Sequence, residues 1–273
     1  METVVLHNDT LRLAFDRATG ALVGLTAVQT DWEILSRPHL GLSFRLLVPL
    51  TSDDPVDVAF AERMGRAYGE RRDNPVYGEK QSLTAFELAA GGKAATFTWD
   101  GVTSEVGGPL PIKITLVVTL TDRQAVFAMT IANRSRHVVE NVYCPYLGDV
   151  QRPAGEEWFK TFSYSYATAQ EWPLWPTYNN MRGYYGVDYP IQLSNASHTA
   201  GAPMAPFTLL RGEKQGLYAG VLSSSAELVA WSTELRPGYG SSIDRRVPEG
   251  ETIGGLDVAT RFAAIHAPYI QPG

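Results

Sequence analysis

Eleven aromatic residues lie between Trp158 and Tyr189, and five of them, Trp172, Trp175, Tyr178, Tyr184 and Tyr185, share a short stretch with Asn179, Asn180, Arg182 and Asp188. Flat aromatic faces beside a few oriented polar groups suit a sugar, whose ring offers apolar C–H faces and polar hydroxyl edges. Trp172, Trp175, Tyr178, Tyr184, Tyr185 and Asp188 are therefore the candidate ligand-binding residues. Pro173 and Pro176 fix their own φ and bias Trp172 and Trp175 toward extended backbone, which lowers the entropy cost of a contact surface. With Pro190, Gly183 and Gly186 in the same segment, the spacing predicts a long irregular loop of the kind usually tied to function. The alternative is that the rings plug one end of a β core.

Carboxylates that could exchange protons with such a ligand stand nearby. Asp149 follows the corner from Pro145 to Gly148, and Glu157 follows Glu156 just before the aromatic stretch. Two such groups lining one sugar could serve as acid and base, although turn carboxylates also act as caps or stay solvated. Asp188 could accept from a sugar hydroxyl or stabilise its own turn. Of His7, His39, His137, His198 and His266, only His198, after Asn195 and before Gly201, is placed to take part; the alternative is an exposed loop histidine. No pair of His or Cys has metal-ligand spacing, and no phosphate loop, nucleophile elbow or nucleotide fingerprint occurs, so neither metal nor cofactor is expected. The single Cys144 lies in an apolar run and reads as a buried structural thiol. The chain alone presents no convincing catalytic set.

The elements that would position these residues are strands. Ile112, Ile114, Leu116, Val118 and Leu120 alternate with Lys113, Thr115, Val117 and Thr119, which places the five apolar side chains on one buried face. Leu11, Leu13 and Phe15 alternate ahead of a turn at 16–20 and the run 22–25, a hairpin spacing. Residues 51–80 carry mixed charge and read as a surface excursion. More than ten such strand signals with no long helical pattern predict an all-β fold, a two-layer antiparallel β-sandwich. No linker or repeat divides residues 1–273, so one domain is expected. A net charge of −6 and a pI near 5.4 argue against nucleic acid or anionic membrane as partners. No apolar run approaches a membrane span, and the opening residues lack a leader pattern, so a cytoplasmic location is expected if Met1 is native.

Three stretches carry a family resemblance: Asn8-Asp9-Thr10-Leu11-Arg12-Leu13-Ala14-Phe15 with Thr19-Gly20-Ala21-Leu22; Thr130-Ile131-Ala132-Asn133-Arg134-Ser135 with Val142-Tyr143-Cys144-Pro145-Tyr146-Leu147-Gly148; and Gly216-Leu217-Tyr218-Ala219-Gly220. Together they resemble the galactose-mutarotase-like supersandwich, in the version that forms the N-terminal domain of barrel-containing glycoside hydrolases of the endo-α-N-acetylgalactosaminidase type. The resemblance implies a carbohydrate-associated sandwich that contacts glycan or supports a separate catalytic (β/α)8 barrel, for which no strand–helix alternation is left here. Two alternatives stand behind this leading reading. One is a stand-alone aldose epimerase, mutarotase or lyase, since mutarotases of this fold use a His acid and a Glu base; the other is a structural assembly module.

Overall fold

The computed structural model describes residues 2–50, 74–165, 168–178, 182–183, 196–199, 203–222, 228–236, 245–246, 252–253 and 255–273. β1 (Thr3–His7), β2 (Leu11–Asp16), β3 (Leu22–Ala27) and β4 (Trp32–Leu35) make an antiparallel sheet in sequence order. β5 (Arg45–Leu47) and β6 (Pro75–Tyr77) belong to another sheet. β7 (Ala85–Leu88), β8 (Ala94–Ser104), β9 (Gly108–Leu120) and β10 (Ala125–Asn133) form a meander, followed by β11 (Asn141–Leu147) beside β5. β12 (Phe159–Ser165) and β13 (Thr168–Trp175) pair as a hairpin, and the short strands β14 (Thr177–Tyr178), β15 (Arg182–Gly183) and β16 (Ala196–Thr199) come next. The hairpin is extended into a sheet by β17 (Pro203–Arg211) and β18 (Gly216–Gly220), in the order β13-β12-β17-β18.

β19 (Val229–Arg236), then β20 (Arg245–Arg246), β21 (Thr252–Ile253), β22 (Leu256–Asp257) and β23 (Ala259–His266) complete the strands. The largest sheet has the order β15-β16-β19-β23-β11-β5-β6. Every strand pairing is antiparallel, and among the described residues the only helical turns are three short 3₁₀ turns. The protein is thus an all-β antiparallel sandwich.

One apolar cluster draws from all four larger sheets, including Leu13, Trp99, Ile114, Leu46, Phe159, Leu210, Trp231 and Phe262. The five residues from Ile112 to Leu120 on β9 are all buried in it, as their shared parity demands. Phe44 meets Trp99 edge-on at 4.9 Å, while Trp231 and Phe262 stack at 6.2 Å.

Two expectations are corrected. The aromatic stretch is not irregular throughout: Phe159–Ser165 and Thr168–Trp175 fold as β12 and β13, and Pro173 is tolerated because β13 is the outer strand of its sheet. Residues 74–80 are not a surface excursion either, because Pro75–Tyr77 is a buried strand of the largest sheet. Residues 51–73 lie outside the described set.

The first hairpin turn is tightly specified. Asp16 accepts from the Ala18 amide and the Thr19 hydroxyl, and Gly20 closes the turn at φ 71°. A Cβ at Gly20 would stand 2.7 Å from Trp99 Cζ2. Gly20→Ala is therefore expected to lower the unfolding free energy by about 2 kcal/mol. A urea midpoint unchanged from wild type would show that this turn tolerates a side chain.

Candidate functional site

The largest sheet has two occupied faces. Its inward residues, among them Val142, Leu46, Val76, Trp231, Leu235 and Phe262, join the main core. On the other face Tyr143, Tyr146 and Ala263 form a separate buried cluster with Leu42. Strict alternation would put Tyr143 and Tyr146 on opposite faces. The β11–β23 register shifts between them, where Pro145 offers no amide to the ladder, and so both reach the same side.

Strand pairing then assembles a charged group around these tyrosines. Tyr77, Arg45 and Tyr143 are successive cross-strand partners over β6, β5 and β11, and Glu234 on β19 is the direct partner of Arg261 on β23. Arg45 is fully buried and lies over the Tyr143 ring at 3.8 Å, with Tyr146 at 5.5 Å. Glu234 is the hub. Its Oε1 is 3.5 Å from Arg45 Nη2, and its Oε2 accepts from Arg236 Nε and Nη2 at 3.2 Å and from the Tyr146 hydroxyl at 3.3 Å. Arg261 Nη1 reaches the same Tyr146 oxygen at 3.4 Å. Arg45, Glu234 and Arg236 are buried, whereas Arg261 and Glu79, in the turn after β6, are half-buried.

Burial dominates the electrostatics. It pushes Arg236 down to about 10, still protonated at neutral pH, and pushes the Tyr77 and Tyr146 hydroxyls up. Burial also opposes the Arg261 charge, but Tyr146, Glu234 and Glu79 more than offset it and its pKa is raised. Glu79 is pushed up by burial, against a hydrogen bond from its own backbone and the pull of Arg261, Lys80 and Arg45. An ion-paired carboxylate and a carboxyl whose pKa burial raises thus flank the same guanidinium. Such a pair can accept a proton at one place and donate one at another.

The residues singled out in the sequence lie elsewhere or outside the described set. Asp149 is buried and takes a two-pronged ion pair from Arg37, both contacts at 2.7 Å, and Gln151 also donates to it. Arg37 bonds the Val258 carbonyl as well, so Asp149 ties three chain segments together. Glu157 is exposed, while its neighbour Glu156 is buried and accepts from the Glu213 and Lys214 amides. Trp172 and Trp175 are half-buried on β13, and Arg152 lies 3.8 Å over the Trp175 ring. Tyr178 is buried and donates to the Thr233 carbonyl at 2.6 Å, next to Glu234. The backbone of His198 on β16 pairs with Thr233. Tyr184, Tyr185 and Asp188 lie outside the described residues. Cys144 is buried and pushed up to about 12 by that burial, as a structural thiol should be.

Sequence reasoning passed over Arg45, Glu79, Tyr146, Glu234, Arg236 and Arg261. The available signal was a charge at mid-strand inside an apolar run, as in Phe44-Arg45-Leu46-Leu47 or Trp231-Ser232-Thr233-Glu234-Leu235. A separate internal cavity, lined by Thr161, Ser163, Thr208, Trp231, Ser232, Thr233 and Phe262, has room for about one water molecule and not for a sugar. Among the described residues no group of His, Cys, Asp and Glu is arranged to hold a metal ion, and no helix is long and apolar enough to cross a membrane.

No protein-family model matches the chain, and no curated protein matches it. Among solved structures, the chain aligns with a galactose mutarotase related enzyme from Lactobacillus acidophilus at TM-score 0.45 and 10% identity, over 98% of each chain. It also aligns with a galactose mutarotase-like protein from Lactobacillus casei at TM-score 0.41 and 12% identity, over 97% of this chain and 87% of the other.

Two outcomes are expected from this geometry. Glu234→Ala leaves Arg45 and Arg236 without their shared carboxylate and should cost about 3–5 kcal/mol in a denaturant titration; a loss below about 1 kcal/mol would mean that the cations find other partners. Thiol reagents at pH 8 should label Cys144 only as the chain unfolds, and rapid labelling of the native protein would show the thiol to be accessible.

Proposed function

We propose that the chain is a carbohydrate-active enzyme that interconverts the anomers of an aldose at the Glu234–Arg261–Glu79 cluster. The observation that carries this reading is the pair of carboxyl groups in contrasting surroundings around one arginine. In the forward step Glu79 gives its proton to the ring oxygen while Glu234 takes the proton from the anomeric hydroxyl. The C1–ring-oxygen bond breaks, leaving an open-chain aldehyde. Rotation about C1–C2 and reversal of both transfers closes the ring as the other anomer, with no net gain or loss of protons. Tyr146 and Arg261 orient the oxygens, and Arg45 and Arg236 hold Glu234 in place.

The test is anomer exchange in a freshly dissolved aldose, followed by polarimetry. Wild type should accelerate it, and Glu234→Gln and Glu79→Gln should each slow the catalysed rate by about 100-fold. Glu79→Gln keeps the shape of the side chain and places no charge at its buried Oε2, so the variant should keep a near-native melting temperature and report on chemistry alone. Exchange no faster than in buffer would sink the proposal. The reading as an accessory sandwich of a glycoside hydrolase would then gain ground if oligosaccharide shifted tryptophan fluorescence and Trp175→Ala removed the shift.

A further inference from the structure

As a residue Arg261 is half-buried, where Arg45 and Arg236 are buried. It gives Nη1 to the Tyr146 hydroxyl, yet its Nε–H, shielded from solvent, has no acceptor among the described residues. Neither neighbouring carboxyl hydrogen-bonds it: Glu234 is engaged by Arg45, Arg236 and Tyr146, and the buried Oε2 of Glu79 has no donor.

The Nε and Nη edge of a guanidinium offers two parallel donors, the geometry that a carboxylate or phosphate takes up. A neutral hydroxyl would fill one donor of this fork and leave the other without an acceptor in a poorly solvated setting. We infer that Arg261 receives an oxyanion carried by the substrate, so that the preferred sugar is a uronate or a sugar phosphate and not a neutral aldose. This rests on the cluster being a sugar site.

Calorimetric titration of the whole chain with galacturonate, glucose 6-phosphate, galactose, glucose and inorganic phosphate tests it. At least one anionic sugar should bind about tenfold or more tighter than its neutral counterpart, the size of one charge-assisted hydrogen bond. Which of the two does so identifies the anion. In Arg261→Gln the preference should fall to about twofold or less, while Arg261→Lys, which keeps charge but not the planar fork, should retain part of it. Equal affinity for charged and neutral sugars, or a preference that survives in Arg261→Gln, overturns the inference and leaves the sugar site standing. Binding of inorganic phosphate alone, or of none of the five, overturns both.

Discussion

A buried carboxylate is tolerable only when cations and hydroxyls meet it, and Glu234 is met by Arg45, Arg236 and Tyr146. These contacts depend on register. Glu234 pairs with Arg261, and the same ladder places Trp231 and Leu235 in the main core. A slip of one residue in β19 would turn the carboxylate toward Trp231's side and expose the apolar set on the other. The apolar core and the charged cluster therefore enforce one alignment from opposite faces of the same sheet.

The contrast between the two kinds of carboxylate is instructive. Asp149 and Glu156 serve architecture. The first receives Arg37 from before β5, and the second receives amides from the turn between β17 and β18. Glu234 lies on the sheet whose second face gathers tyrosines and arginines, and Glu79 lies in the turn that follows β6 of that sheet, where burial raises its pKa. Perturbed groups of this kind concentrate at functional sites.

How much of this was legible in the sequence follows from the kind of signal each element carries. Period-2 alternation marked β9 without ambiguity, because one face of that strand is buried and the other is not. The prolines flanking Trp172 and Trp175 correctly implied extended backbone. They also argued against a strand, because the sequence does not say that β13 would be an outer strand, where a missing amide is harmless. The charged cluster was harder to read. Arg45 and Glu234 stand among apolar residues, but polar neighbours such as Ser43, Thr233 and, beside Arg261, Thr260 weaken that signal toward the reading of a solvated face. Their convergence depends on β5, β11, β19 and β23 being neighbours, a fact of topology spread over some 220 positions that no local spacing encodes.

That topology has a consequence for how the chain reaches its native state. β23 lies between β19 and β11, although its residues follow those of every other strand. As the protein is synthesised, β11 and β19, rich in apolar side chains, wait with open hydrogen-bonding edges until β23 inserts between them. Contacts of such long sequence separation favour slow folding, in milliseconds to seconds, and waiting edges invite pairing with other chains. The central position of β23 thus ties closure of the largest sheet to pairings that bridge strands far apart in sequence.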